Sequence, residues 1–63
     1  MIVGAMRTPD GLWRVEAVRK GRQNWYRILR AGELYADLLS IAAVERILRE
    51  DAGVDIATLV PVP

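Results

Sequence analysis

Residues 12–39 read LWRVEAVRKGRQNWYRILRAGELYADLL, and this stretch predicts three short strands joined by two tight turns. Gly21-Arg22 is a two-residue connection with glycine first, which is typical of a type II′ hairpin turn. Arg30-Ala31-Gly32 has glycine third, where a type I turn followed by a bulge needs a positive φ. The stretch is therefore expected to form a three-stranded antiparallel sheet.

The two turns set the expected pairing of the strands, because a hairpin's register follows from its loop. The first turn predicts the pairs Lys20–Gln23, Val18–Trp25, Ala17–Tyr26, Glu16–Arg27 and Val15–Ile28. The second turn predicts the pairs Ile28–Leu34, Arg27–Tyr35 and Tyr26–Ala36.

Successive side chains of a strand point to opposite sides of a sheet, so these pairings define two faces. The predicted core face contains Trp13, Val15, Ala17, Tyr26, Ile28, Leu34, Ala36 and Leu38. The predicted outer face contains Arg14, Glu16, Val18, Trp25, Arg27, Leu29, Tyr35 and Asp37. The outer face is too polar for a core and too aromatic for an inert surface.

A helix is predicted to follow the sheet. Ser40 is a good N-cap, the apolar residues after it recur at helical spacing, and Gly53 suits a left-handed C-terminal stop. Asp55 is placed to cap one further turn, and Pro61 and Pro63 prevent any longer helix.

These signals predict an α+β fold: a three-stranded antiparallel β-sheet (β-β-β-α) with one C-terminal α-helix packed on one face. The chain is expected to be a single small domain with four parts. They are a partly ordered N-terminal arm at 1–11, the sheet at 12–39, the helix at 40–53, and a short turn with an extended tail at 54–63. As an alternative for the arm, Ile2-Val3 adds a fourth strand.

The amino-acid composition limits the classes of function that are open to this chain. The 63 residues include no cysteine and no histidine, which excludes disulfides, the usual zinc sites and the commonest catalytic side chains. We therefore expect no enzymatic activity, no cofactor, no metal and no small-molecule substrate. No apolar run approaches the roughly 20 residues of a membrane span, so we expect no membrane association and a cytoplasmic location.

Charge is distributed unevenly along the chain. Residues 1–36 carry seven basic and three acidic side chains, a net charge of +4, whereas residues 37–63 carry two basic and five acidic ones, a net charge of −3. Eight of the nine basic residues are arginine, which favours bidentate contacts with phosphates and bases, although a GC-rich genome produces the same bias.

Basic side chains interleaved with aromatic ones favour nucleic-acid binding, because the charges neutralise phosphates and the rings contact sugars and bases. The predicted nucleic-acid-binding residues, with DNA as the expected partner, are Arg14, Arg19, Lys20, Arg22, Trp25, Arg27 and Tyr35. Two alternatives remain. In the first, Glu16–Arg27 is a cross-strand ion pair and the turn arginines protect a sheet edge. In the second, the chain is a homodimeric interaction module that uses an edge strand or the apolar outer-face residues Val18, Trp25, Leu29 and Tyr35.

In element order, residues 12–53 resemble the DNA-binding domains of plant ethylene-response factors and the arm-site-binding domains of phage and transposon integrases. In those families the outer face of the sheet lies in the major groove, with arginines and a tryptophan on it. The resemblance implies comparable places for Arg14, Trp25 and Arg27, while Glu16 and Asp37 interrupt the positive charge that those domains carry.

Overall fold

The computed structural model describes all 63 residues and contains one sheet of five antiparallel strands. The strands are β1 (Ile2–Arg7), β2 (Trp13–Lys20), β3 (Gln23–Arg30), β4 (Glu33–Leu39) and β5 (Val60–Pro61). Their order in the sheet is β4-β3-β2-β1-β5. The helix α1 (Ile41–Ile47) continues into a π-helical turn (Leu48–Ala52), and a 3₁₀ helix (Ile56–Thr58) precedes β5. The fold is α+β, and the prediction of a three-stranded sheet is wrong.

The first hairpin has the predicted register. All five predicted pairs form, including Glu16 opposite Arg27 and Val18 opposite Trp25. Gly21 has a φ of 63° and Arg22 is not among the residues with positive φ, the combination that defines a type II′ turn.

The second hairpin differs from its prediction by one residue at the turn. Arg30 pairs with Glu33, so the connection is the two-residue turn Ala31-Gly32, whose φ angles of 52° and 82° fit type I′. Leu34 therefore lies opposite Leu29 and not opposite Ile28.

Two bulges in β4 then change the faces of its residues. Ile28 pairs with Ala36 and Tyr26 with Leu39, which leaves one extra residue of β4 on either side of Ala36. Leu34 and Leu38, predicted for the core face, are 59% and 55% exposed. Leu38 lies at the second bulge with a φ of 53°, a left-handed conformation that is unusual for leucine.

Residues at both ends of the chain add the two further strands. β1 pairs with β2 along Ile2–Arg7, where we expected a partly ordered arm, and β5 pairs with β1 through Met6–Pro61 and Arg7–Val60. Both strands extend the sheet beyond β2, so the resemblance in element order covers only β2 to α1. No helix of this structure has the length and apolar composition needed to cross a membrane.

The caps of the helical segments are those predicted. The Ser40 side chain accepts a hydrogen bond from the backbone N of Ala43 at 3.2 Å, and Gly53 ends the π-helical turn with a φ of 65°. Asp55 caps the 3₁₀ helix by accepting from the backbone N of Ala57 at 2.9 Å.

The hydrophobic core lies between one side of the sheet and the helix. Six apolar residues are buried there: Trp13, Val15, Ile28, Val44, Leu48 and Leu59. Three of them, Trp13, Val15 and Ile28, were predicted for the core face, and Tyr26 packs against the same cluster. The opposite side of the sheet, which we call the outer face, carries no covering element.

Candidate nucleic-acid interface

The outer face is built from alternate positions of the three adjacent strands β1, β2 and β3. On β2 and β3 it presents the pairs Arg14–Leu29, Glu16–Arg27 and Val18–Trp25, because the intervening pair Val15–Ile28 lies in the core. The predicted faces of the first hairpin are therefore correct.

Glu16 is at the centre of the outer face and is only 6% exposed. Its two carboxylate oxygens accept hydrogen bonds from two arginines, from the Nε of Arg27 at 2.6 Å and the Nε of Arg14 at 3.0 Å. Burial acts to raise the pKa of Glu16, but the hydrogen bonds from Arg27 and Arg14 outweigh it and hold that pKa below its ordinary value. Glu16 is thus ionised at neutral pH and fixes both guanidinium groups.

Only the Nε of each guanidinium is used in this cluster. No side-chain hydrogen bond in the structure involves the terminal Nη groups of Arg14 or Arg27, and these two side chains are 42% and 33% exposed. The Nη groups of each arginine therefore remain able to donate two hydrogen bonds to one external acceptor. This bidentate geometry matches a phosphate or the edge of a base.

A second group of basic residues lies at the β2–β3 turn. Arg19, Lys20 and Arg22, which we call the basic tip, are all exposed, and none of their side chains forms an ion pair or hydrogen bond within the chain. Their charges are therefore free to meet an external anion.

Trp25 lies on the outer face between the basic tip and the Glu16 cluster, partly buried and opposite Val18. It is thus the aromatic side chain that is placed beside both groups of cations. Val18 and Leu29 are also partly buried on this face.

Tyr35 was predicted for the outer face, and that placement is wrong. Its ring makes an edge-to-face contact with the core residue Trp13, with centroids 4.9 Å apart, and its hydroxyl donates to Asp51 Oδ2 at 2.6 Å. The hydrogen bond to Asp51 raises the pKa of Tyr35. The bulge between Leu34 and Ala36 turns this residue to the helix side, which removes it from both the nucleic-acid set and the alternative dimer set.

Sequence reasoning also missed one basic residue of the outer face. Arg7 pairs with Arg14 across β1 and β2, so its side chain emerges on the same side, where its Nη1 donates to the backbone oxygens of Thr8 and Pro9. Because residues 1–11 were predicted to be a partly ordered arm, Arg7 was not assigned to a face of the sheet. The run Ile2-Val3, followed by the turn signal Pro9-Asp10-Gly11, was the available sign of a strand.

Comparison with protein-family models, with curated proteins and with solved structures finds no match to this chain. Its function is therefore inferred from the geometry of the outer face and the basic tip.

Proposed function

We propose that this chain is a small non-enzymatic module that binds nucleic acid, specifically duplex DNA, through the outer face and the basic tip, and that it acts in the cytoplasm. The observation that carries the proposal is the Glu16 cluster, in which one buried carboxylate holds two arginines while their Nη groups remain free.

The physical reason is preorganisation. A long arginine side chain loses rotamer freedom when it binds, and this loss weakens the complex. Because Glu16 already fixes Arg14 and Arg27 through their Nε atoms, part of that entropy is lost on folding and not on binding.

The two groups of cations have different roles in the proposed complex. Arg19, Lys20 and Arg22 neutralise phosphates and position the duplex, while Arg14 and Arg27 contact phosphates or base edges beneath the sheet. A β-sheet or ribbon is able to enter a DNA groove, and Trp25 supplies an aromatic surface next to these cations.

The first experiment measures the affinity for a random duplex by fluorescence anisotropy at several salt concentrations. Affinity should fall steeply with salt, with a slope of about −0.9 for each phosphate contact. Replacing Arg19 and Arg22 together by alanine should make the slope shallower by about 2 units.

The matched control replaces Arg46 and Arg49 by alanine. These arginines are exposed on the helical segment, on the other side of the sheet, and their loss changes the net charge by the same amount. Equal effects of the two double variants would mean that binding responds only to net charge. Absence of binding at low salt rejects the proposal outright.

A second experiment tests the oriented guanidinium groups. Arg27→Lys retains the charge but replaces the bidentate guanidinium donor with a single ammonium. The affinity for DNA should therefore fall while its dependence on salt stays the same. Unchanged affinity would show that Arg27 is only a structural partner of Glu16.

A further inference from the structure

The helix leaves part of the core side of the sheet uncovered. α1 packs on β3 and β4, and beside it an open cleft of about 270 Å³ lies above β1 and β2. The cleft is lined by apolar residues that include Met6, Val15, Tyr26, Ile41 and Ile56, and no charged side chain lines it.

The apolar cleft is continuous with an unpaired strand edge. β5 pairs with Met6 and Arg7, and the backbone N of Val62 donates to the backbone O of Ala5, so Ile2 and Val3 are the β1 residues with no chain segment on the side away from β2. Ile2 and Val3 are 49% and 48% exposed at this edge, and Met6 and Ile41 are 38% and 45% exposed in the cleft.

The other edge of the sheet is unsuited to pairing. β4 has two bulges and carries Glu33 and Asp37, features that discourage the addition of another strand. The β1 edge beside the cleft is thus the part of the sheet that is open to an added strand.

We propose that the apolar cleft and the free β1 edge together form an interface with a second copy of this chain, related by a twofold axis. In a twofold dimer the same patch meets itself, so the patch must be its own complement. An uncharged apolar patch meets this condition, whereas the basic tip and the arginines of the outer face would repel their own copies.

Antiparallel pairing of two β1 edges satisfies the same symmetry, and it places the two clefts next to each other. A standard interface buries about 800 Å² on each partner, roughly a fifth of the 4312 Å² surface of this chain. The outer face and the basic tip stay exposed, so this dimer does not depend on nucleic-acid binding.

The test is the mass of the full chain in solution, measured by sedimentation over a hundredfold concentration range without nucleic acid. We expect a species of twice 7.1 kDa that dissociates on dilution. Ile41→Glu and Val3→Glu should each raise the dimer dissociation constant at least tenfold. Ile41→Glu places an acidic residue in the first turn of the helix, a favourable position, so folding should be retained.

The matched control is Leu34→Glu, a change of the same kind at a residue that is 59% exposed on β4, away from the cleft. It should leave the dimer intact. A wild-type chain that is monomeric at every concentration overturns the proposal. So does a dimer that Leu34→Glu dissociates while Ile41→Glu and Val3→Glu do not.

Discussion

Replacing Glu16 by glutamine tests the centre of the outer face. The change keeps the shape of the side chain but leaves one oxygen acceptor in place of two. One arginine Nε then keeps a neutral acceptor, while the other faces an amide NH₂ that is not able to accept its hydrogen bond.

The loss of stability caused by this substitution depends on how exposed the three side chains of the cluster are. A hydrogen bond to a charged group contributes about 1.5–3 kcal/mol, but exposed ion pairs usually contribute less than about 1 kcal/mol. Glu16 is buried, whereas the side chains of Arg14 and Arg27 are 42% and 33% exposed and are able to regain water. We therefore expect Glu16→Gln to lower the free energy of unfolding by about 1–2 kcal/mol at neutral pH.

This loss should depend on pH. The pKa of Glu16 is lower in the folded chain than in the unfolded one, so its contribution is complete above the unfolded value of about 4.3 and disappears as the pH falls through the folded value. The difference between wild type and variant should therefore shrink towards zero in acid, where protonated Glu16 is also neutral.

The assay is urea unfolding followed by tryptophan fluorescence, at several pH values between 7 and the acid limit of folding. With a slope of about 1 kcal/mol per molar urea, the midpoint should shift by about 1–2 M at pH 7. Glu33→Gln, which alters an exposed carboxylate without an ion pair, is the control and should change stability by less than about 0.5 kcal/mol. A wild-type-to-variant difference that is the same at every pH would refute the argument.

Four further substitutions test the fold, each measured by urea or thermal unfolding. Ile28→Val removes one methylene from a residue with no exposed surface and should cost about 0.5–1.5 kcal/mol, so a neutral result would mean that Ile28 is not tightly packed. Ser40→Ala removes the helix cap and should cost about 1 kcal/mol, while an unchanged midpoint would show that water replaces the cap. In the second turn, Gly32→Ala should destabilise by about 1–2 kcal/mol through its φ of 82° alone, because no atom lies within 4 Å of the added carbon. Ala31→Asn should stabilise the same turn, because Asn-Gly is the preferred type I′ pair, and the reverse order of these two effects would exclude that turn type.

The parts of the fold that sequence predicted correctly depend on local interactions. Gly21-Arg22 determines a two-residue turn, and alternation along β2 and β3 then gives the register and both faces without further information. The same register predicted Glu16 opposite Arg27, although the second arginine of the cluster, Arg14, was assigned to the face and not to a hydrogen bond.

The second hairpin shows where this reasoning fails. Gly32 has a positive φ in either turn type, so the glycine alone did not decide whether Arg30 belongs to the loop or to the strand. The bulges of β4 have no residue signature either, since the positive φ at the second bulge belongs to a leucine, Leu38, and not to a glycine. Because the bulges were not predicted, Tyr35 was assigned to the wrong face of the sheet.

The strands at the two ends of the chain were not predictable from local pattern. β5 is two residues long and contains a proline, and it is stable only because β1 lies beside it. β1 includes a glycine at an irregular pairing with β2, which breaks the alternation that would reveal it. Long-range pairing determines both strands.

The pairing of β5 with β1 joins the first and last parts of the chain through two residue pairs and a hydrogen bond from Val62 N to Ala5 O. Strands so far apart in sequence meet late in folding, because ordering the intervening loop is costly. The β1–β5 pairing should also be the first part of the sheet to open. Amide hydrogen exchange at Arg7 and Val62 should therefore be faster than at Val15 or Ile28. A peptide tag fused after Pro63 continues directly from this pairing, so a tag at that end should itself alter how tightly β5 holds to β1.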